Sequence, residues 1–385
     1  MELSKHLEQF KKLETPFYFY DINLLKQTIE AATKASAVIP NALIHFAVKA
    51  NDNSRVLAEM NKAGFGLDTV SGGEITKAVG LGFAGNKIMF AGVGKTDKEI
   101  LAGIDNDILS FNIESVPELE IINQLAAGRN KKARIALRIN PNVDAHTHKN
   151  ITTGLHENKF GIALEDMIPT IRKVQRLSNV EYYGLHFHIG SQILKFNSFV
   201  QLSNKINEIQ RELEAAGIKT DSINVGGGLG VDYNNPQDKP IPDFKGYFDT
   251  YKKHLELRPG QCFHCELGRA LSAQYGALIT RIVFVKQAKV KQFAIVDAGF
   301  TDLIRPALYQ AHHKIINLTS DKALEKYDVV GPICESTDVF EENTELPKAQ
   351  RGDILALLSA GAYGHVMASQ YNCRPLIKEI TSDEL

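Results

Sequence analysis

Cysteine is scarce in this sequence: Cys262, Cys265, Cys334 and Cys373 are the whole complement of a 385-residue chain. Four scattered thiols make no disulfide framework, so they are expected to be reduced. Cys262 and Cys265 stand in CxxC spacing, but no second pair follows, and their stretch reads as a strand that turns the two sulfurs to opposite faces. A zinc site is not expected there. An excess of charge of either sign is missing too. The formal net charge of -1 removes any general attraction to nucleic acid or to an anionic membrane. No apolar run approaches the length of a membrane span, and residues 1–12, charged and amphipathic, lack the apolar core of a signal peptide. The expectation is a cytoplasmic protein without nucleic-acid or membrane partners.

What is present is a soluble globular composition, 44% hydrophobic and 23% charged, on a chain long enough for a barrel and a smaller second domain. A short strand at 15–20 is followed by a regular alternation of strands and amphipathic helical stretches. Candidate strands lie at 43–49, 66–70, 87–91, 108–112, 134–140, 182–189, 222–226 and 262–266. Eight strands in βα alternation, without a glycine-rich turn after the first, favour a closed barrel over an open doubly wound sheet. From Gly276 the pattern changes to strands joined by turns, at 279–285, 293–296, 327–330 and 352–358. The stretch 234–244, rich in Pro, Asn and Asp, reads as an ordered surface loop inside the barrel sequence. The expected fold class is α/β: a (β/α)8 TIM-like barrel over 25–273, then a β-rich C-terminal domain over 274–385 that is joined by the N-terminal strand 1–24.

In such a barrel, functional residues gather at the carboxyl ends of the strands. Lys49 ends the first candidate strand, in the run IHFAVKAN (44–51). A lysine there loses solvation, its pKa falls, and its amine becomes able to condense with an aldehyde; the plainer reading is a lysine snorkelling to water. Asp68 ends the second strand, Arg138 the fifth, His188 the sixth, the run Gly226, Gly227 and Gly228 the seventh, and Glu266 the eighth. Three consecutive glycines let backbone amides approach a phosphate, and the loops after the seventh and eighth strands are where barrels hold one. Ser191 offers a hydroxyl to the same anion. His186 and His188 alternate along one strand and face one side, which makes half of a metal site a rival reading; His146 and His148, on a polar loop, are weaker candidates. The other rim residues do not complete a metal site, and none is expected. Glu266 and Arg269 place a carboxylate and a cation together at a strand end, which is also what a salt-bridged rim looks like. An amine, a phosphate loop, a flat imidazole and a carboxylate together make the set that pyridoxal phosphate requires.

The segments AVKAN (47–51), LDTVSGGE (67–74), RINPNVDAHTH (138–148), KFGI (159–162), GLHFHIGSQ (184–192), VGGGLG (225–230), ELGR (266–269), VDAGFTDLIRPALY (296–309), VGPICESTD (330–338) and GAYG (361–364) carry a resemblance over nearly the whole chain. They are similar to those of the alanine-racemase-like barrel decarboxylases that use pyridoxal 5'-phosphate. The resemblance implies a homodimer with active sites shared between subunits. It makes Lys49 the Schiff-base lysine, His188 the residue stacked on the ring, and Glu266 the partner of the pyridine nitrogen. Gly227, Gly228, Ser191 and Arg269 would surround the phosphate, with Tyr363 adding a hydroxyl and Asp68 and Gly268 completing the cofactor set. Cys334, from the partner subunit, would return a proton after carbon dioxide leaves.

The resemblance further points to the branch that converts meso-2,6-diaminopimelate to L-lysine, the last step of lysine biosynthesis. That substrate carries a second amino-acid head. Arg269 and Arg305 can clamp its carboxylate and Glu335 can take its ammonium, with Tyr309 and Tyr363 alongside. Alternatives are decarboxylation of another basic amino acid (ornithine, lysine or carboxynorspermidine), or a catalytically silent regulator, which would be expected to lose Lys49 or Cys334. Two departures from the family pattern stand out: Leu267 replaces the usual proline of Glu-Pro-Gly-Arg, and the N-terminus is short.

Overall fold

The structure is a computed structural model, and it describes residues 1–142 and 159–385. Two compact units divide the chain: unit 1 takes Met1–Thr28, Val231–Pro242 and Arg269–Leu385, and unit 2 takes Ile29–Gly230 and Asp243–Gly268. Residues 231–242 group with unit 1, although barrel sequence flanks them on both sides.

Strand β1 (Phe17–Tyr20) belongs to unit 1. The next eight form a closed, all-parallel barrel, as the alternation requires: β2 (Ala42–Ala47), β3 (Gly66–Thr69), β4 (Ile88–Phe90), β5 (Ser110–Ile113), β6 (Ala133–Arg138), β7 (Val180–His186), β8 (Ser222–Asn224) and β9 (Cys262–Leu267). Helices follow the strands, and their starts are written in the sequence. Asn53 accepts from the Arg55 and Val56 amides to cap Ser54–Lys62, Ser71 caps Gly72–Gly80, and Thr96 with Glu99 forms a capping box on Asp97–Asp105.

The interior of this barrel is polar where branched apolar side chains usually fill it. Asp68, Asn112, His186 and Glu266 come from alternate strands and are buried, as are His45 and His264. His45 Nε2 and His264 Nδ1 lie 2.9 Å apart. Gly66 makes room for this pair, since a Cβ there would sit 2.4 Å from His45 Nδ1.

Unit 1 contains β10 (Gly276–Gln287), β11 (Gln292–Val296), β12 (Ile315–Asn317), β13 (Leu324–Val330), β14 (Val339–Pro347), β15 (Ile354–Leu357) and β16 (Lys378–Thr381). The sheet runs β12-β15-β10-β11-β13-β14, with β1 antiparallel to β10 and parallel to β16. Phe10, Phe17, Phe19, Ala277, Ile279, Ile354 and Ala356 form its core. Three of these strands, β12, β14 and β16, are additions to the elements expected from sequence.

Candidate active site

In unit 2, β2 stops at Ala47, and Lys49 sits in a single 3-10 turn, Val48–Ala50, rather than in the strand. The lysine side chain is 42% exposed, so the loss of solvation expected for it does not occur. Its Nζ donates to Asp68 Oδ2 at 3.2 Å. Asp68 is 1% exposed, and among the described residues its Oδ1 has no hydrogen-bond partner. Burial and the nearby Glu266 charge push the Asp68 carboxyl up to about 6, against the pull of Lys49.

Glu266 is the ionised member of this acidic pair. Asn224 Nδ2 donates to its Oε1 at 2.7 Å and Asn112 Nδ2 at 3.4 Å, while His186 Nε2 lies 3.1 Å from Oε2. Burial pushes the Glu266 carboxyl up, but the His186 imidazole and the Lys49 charge outweigh it and hold the group well below the usual carboxylate range. Arg138, at the end of β6, is bound to Glu114 at 2.8 Å.

His188 lies two residues beyond the end of β7, so the expected strand to 189 is shorter than the alternation suggested. Its Nδ1 accepts from the Gly227 amide at 3.3 Å, which requires that nitrogen to be unprotonated. Burial and the charges of Arg138 and Lys49 push the His188 pKa down to about 3 and keep the ring neutral. The two histidines therefore have different partners, His186 the carboxylate and His188 a backbone amide. His146 and His148 lie outside the described residues. In the CxxC stretch, Cys265 is buried and its thiol is pushed up by that burial, while Cys262 is half-buried.

The glycine run follows β8. Gly226 and Gly228 have φ of 69° and 113°, and a Cβ on Gly226 or Gly227 would lie 2.1 Å from the Phe187 or Glu266 carbonyl oxygen. The Ser191 loop is joined to this run by a bridge: the Ile193 amide donates to Gly228 O at 2.8 Å and the Gly230 amide to Ile193 O at 3.0 Å. Leu267 is simply the last, buried residue of β9, paired with Phe46, so the replacement of proline costs no turn. Gly268 follows it and closes unit 2.

Unit 1 holds a second cluster. Arg269 Nη1 donates to the Tyr233 hydroxyl at 2.7 Å, and its guanidinium lies 4.9 Å from the Tyr363 ring centroid. Arg305 lies over the Tyr233 ring at 4.8 Å and its Nη1 is 2.8 Å from His313 Nε2. Because His313 Nδ1 donates to Leu358 O at 2.8 Å, Nε2 is the acceptor for the arginine. Burial and the Arg305 charge hold His313 neutral. Burial pushes the Tyr233 hydroxyl up, but Arg269 and Arg305 pull it below its ordinary value. Among the described residues Arg305 has no carboxylate at ion-pair distance. Tyr309 ends the short helix Arg305–Tyr309 and is half-buried.

Cys334 and Glu335 are exposed on unit 1. The Cys334 amide donates to Asn372 Oδ1 at 3.2 Å, and the Tyr371 hydroxyl to Glu335 Oε1 at 2.7 Å. Reading the sequence for reactive types missed Asn112, Asn224, Tyr233 and His313, which lie in these two clusters, and weighed His186 only as half of a metal site. The available signal was position: Asn224 stands two residues before the glycine run, and His186 two before His188.

Residues 25–289 match the family of pyridoxal-dependent decarboxylases, over its pyridoxal binding domain. A diaminopimelate decarboxylase from Bacteroides thetaiotaomicron is 56% identical over 379 residues, 98% of each chain. One from Aquifex aeolicus is 40% identical over 372 residues, 95% of this chain and 86% of its own. The crystal structure of diaminopimelate decarboxylase from Helicobacter pylori complexed with L-lysine superposes with a TM-score of 0.91 at 38% identity, covering 98% of this chain and 93% of that one. With a family model matched over more than half of its length and relatives matched over 95% and 98% of it, this chain belongs to the pyridoxal-dependent decarboxylases, in the diaminopimelate decarboxylase family.

Proposed function

We propose that this chain decarboxylates meso-2,6-diaminopimelate to L-lysine and carbon dioxide with pyridoxal 5'-phosphate as cofactor. The observation that carries the substrate is Arg305, a buried cation held by a tyrosine face and a neutral histidine, with no carboxylate beside it among the described residues. A buried cation left in that state suits an anionic ligand group, and the distal carboxylate of diaminopimelate supplies one.

The donor set of unit 2 fits the cofactor. Pyridoxal phosphate, when bound, supplies an aldehyde that takes up an amine and a ring that withdraws electrons from the carbon losing its carboxylate. Lys49 offers an amine at the solvent-facing rim, steadied by Asp68. Glu266 offers an ionised carboxylate to the ring nitrogen, and His188 a neutral flat ring to lie against the cofactor. By the family resemblance, we assign Gly227, Gly228, Ser191, Gly268, Arg269 and Tyr363 to the phosphate. Arg269, Arg305, Tyr309, Tyr363 and Glu335 are assigned to the substrate, Glu335 taking its distal ammonium.

Cys334 is assigned the proton delivered to the substrate carbon after carbon dioxide leaves, in the site of a partner subunit. Its exposure in the single chain supports a homodimer with shared sites. Two of the four free cysteines, Cys334 and Cys373, are exposed thiols, which suits a reducing cytoplasm. Steady-state kinetics on meso-diaminopimelate, L-lysine and L-ornithine, read as carbon dioxide release, test the substrate; a preference for either of the latter two overturns it.

A further inference from the structure

Asn224 is the last residue of β8, is buried, and stands two residues before the glycine run. Its side chain bonds in two directions. Oδ1 accepts the Gly226 amide at 2.9 Å, and Nδ2 donates to Glu266 Oε1 at 2.7 Å while lying 3.3 Å from Met89 Sδ. A carboxamide has one acceptor end and one donor end, so the first bond dictates the second: with the oxygen on Gly226, only N–H can face Glu266. Asn112 presents the same end, because the carboxylate can only accept: its Nδ2 donates to Glu266 at 3.4 Å, and its Oδ1 is left to accept from the Ser110 hydroxyl at 3.3 Å. Two amide N–H groups thus meet Oε1, with His186 Nε2 beside Oε2, and this arrangement favours a bare carboxylate that a further donor can approach.

The other end of Asn224 matters equally. Gly226 carries a φ of 69°, and any Cβ there would meet the Phe187 carbonyl oxygen at 2.1 Å, so the chain has little choice of path as it enters the run. The peptide at which that path begins is the one Asn224 holds. We infer that Asn224 is a positioning residue that couples the two ends of the cofactor site, setting the glycine run, which takes the phosphate, in register with Glu266, which takes the ring nitrogen. This rests on the cofactor reading above and extends it to a residue that touches neither end of the cofactor itself.

Two affinity ratios of the full-length, cofactor-stripped protein test it, measured by equilibrium titration at one pH. The first compares pyridoxal 5'-phosphate with the analogue carrying carbon in place of the ring nitrogen. The second compares pyridoxal 5'-phosphate with pyridoxal. Asn224→Leu, close in volume, should lower both ratios, each by roughly fivefold, the worth of about one net hydrogen bond. Glu266→Gln and Asn112→Leu, whose amide is tied to Ser110 and not to the run, should lower the first ratio and leave the second. A role in packing alone would lower all three affinities together and leave both ratios where they were. If Asn224→Leu does not give a cooperative thermal transition, Asn224→Ala replaces it with the same two expectations. An unchanged ratio of either kind in the folded Asn224 variant overturns the coupling, while the parent's tight binding of pyridoxal 5'-phosphate keeps the cofactor reading. Failure of the parent to bind pyridoxal 5'-phosphate overturns both.

Discussion

At the barrel rim of unit 2 the charged groups come with their complements: Lys49 with Asp68 at 3.2 Å, Arg138 with Glu114 at 2.8 Å, and Glu266 with donors from Asn112, His186 and Asn224. In unit 1 the buried Arg305 lies on Tyr233 and on the acceptor nitrogen of His313, without a carboxylate among the described residues. Burying a charge costs several kcal/mol unless it is paired. In the first arrangement each charged group already has a complement before any ligand arrives, although Asp68 Oδ1 has no hydrogen-bond partner among the described residues. The second is completed by whatever anion binds there. Under the function proposed above this is a division of labour, in which the preorganised set would serve a resident cofactor and the unfinished set a substrate that comes and goes.

The sharpest way to break this division is to disable each unit separately. Lys49→Ala should reduce carbon dioxide release to background, with the thermal transition little changed because the side chain is already 42% exposed. Cys334→Ala should be similarly inactive. If Cys334 serves the partner subunit's site, mixing the two dead variants under conditions of proven subunit exchange should restore part of the activity, since each mixed dimer contains one intact site. Exchange without recovery contradicts the shared site and leaves the assignment of Lys49 standing.

Arg305→Met probes the unfinished set. Removing the arginine leaves the substrate's distal carboxylate without its partner, so kcat/KM for meso-diaminopimelate should fall by the equivalent of about 2 to 5 kcal/mol. L-Lysine and L-ornithine lack that carboxylate and should lose proportionately less. An equal loss on all three would mean that the arginine supports the structure around Tyr233 and His313 rather than reading the substrate.

The barrel was legible from sequence because each strand is followed by its own helix, so local periodicity repeats the tertiary plan eight times. Residues of conspicuous chemistry at the strand ends, Lys49, His188 and Glu266, were legible for the same reason. Unit 1 was less so. Strand β16 pairs with β1 from the other end of the chain, and β14 carries Glu341, Glu342 and Glu345, which hide its apolar positions from a periodicity reading. Both strands are defined by partners distant in sequence. Asn112 and Asn224 were invisible for another reason: an asparagine in a short strand carries no signal until Glu266 is seen across the barrel. Lys49 was conspicuous as a lysine expected at a buried strand end, whereas the 3-10 turn lifts its side chain to the rim.

The smallest effect, on stability, tests how far the paired set of unit 2 extends. Glu74, half-buried at the start of the helix after β3, accepts the Val70 amide at 2.6 Å. Burial pushes its carboxyl up to about 7; the Val70 bond opposes this, Asp68 adds to it, Lys49 opposes it and Asp52 adds to it. The ordinary value is 4.5, so the fold favours the protonated acid. A carboxyl raised in the folded state contributes stability that is fully present below about 4.5 and is lost as pH rises through about 7. Asp68, raised to about 6, adds a slope of the same sign, while His45 and His188, lowered to about 4 and about 3, oppose it as the pH falls. These contributions largely cancel when the parent is compared with Glu74→Gln, which keeps an acceptor for Val70 and never ionises. Relative to the parent, the variant should gain on the order of 1 to 3 kcal/mol between pH 5 and pH 8, read from urea or thermal unfolding at both pH values. A difference that does not change with pH would mean that Glu74 is ionised in the folded protein at both, with Lys49 shared between it and Asp68, and the pairing at the rim would then be a network of three groups rather than two.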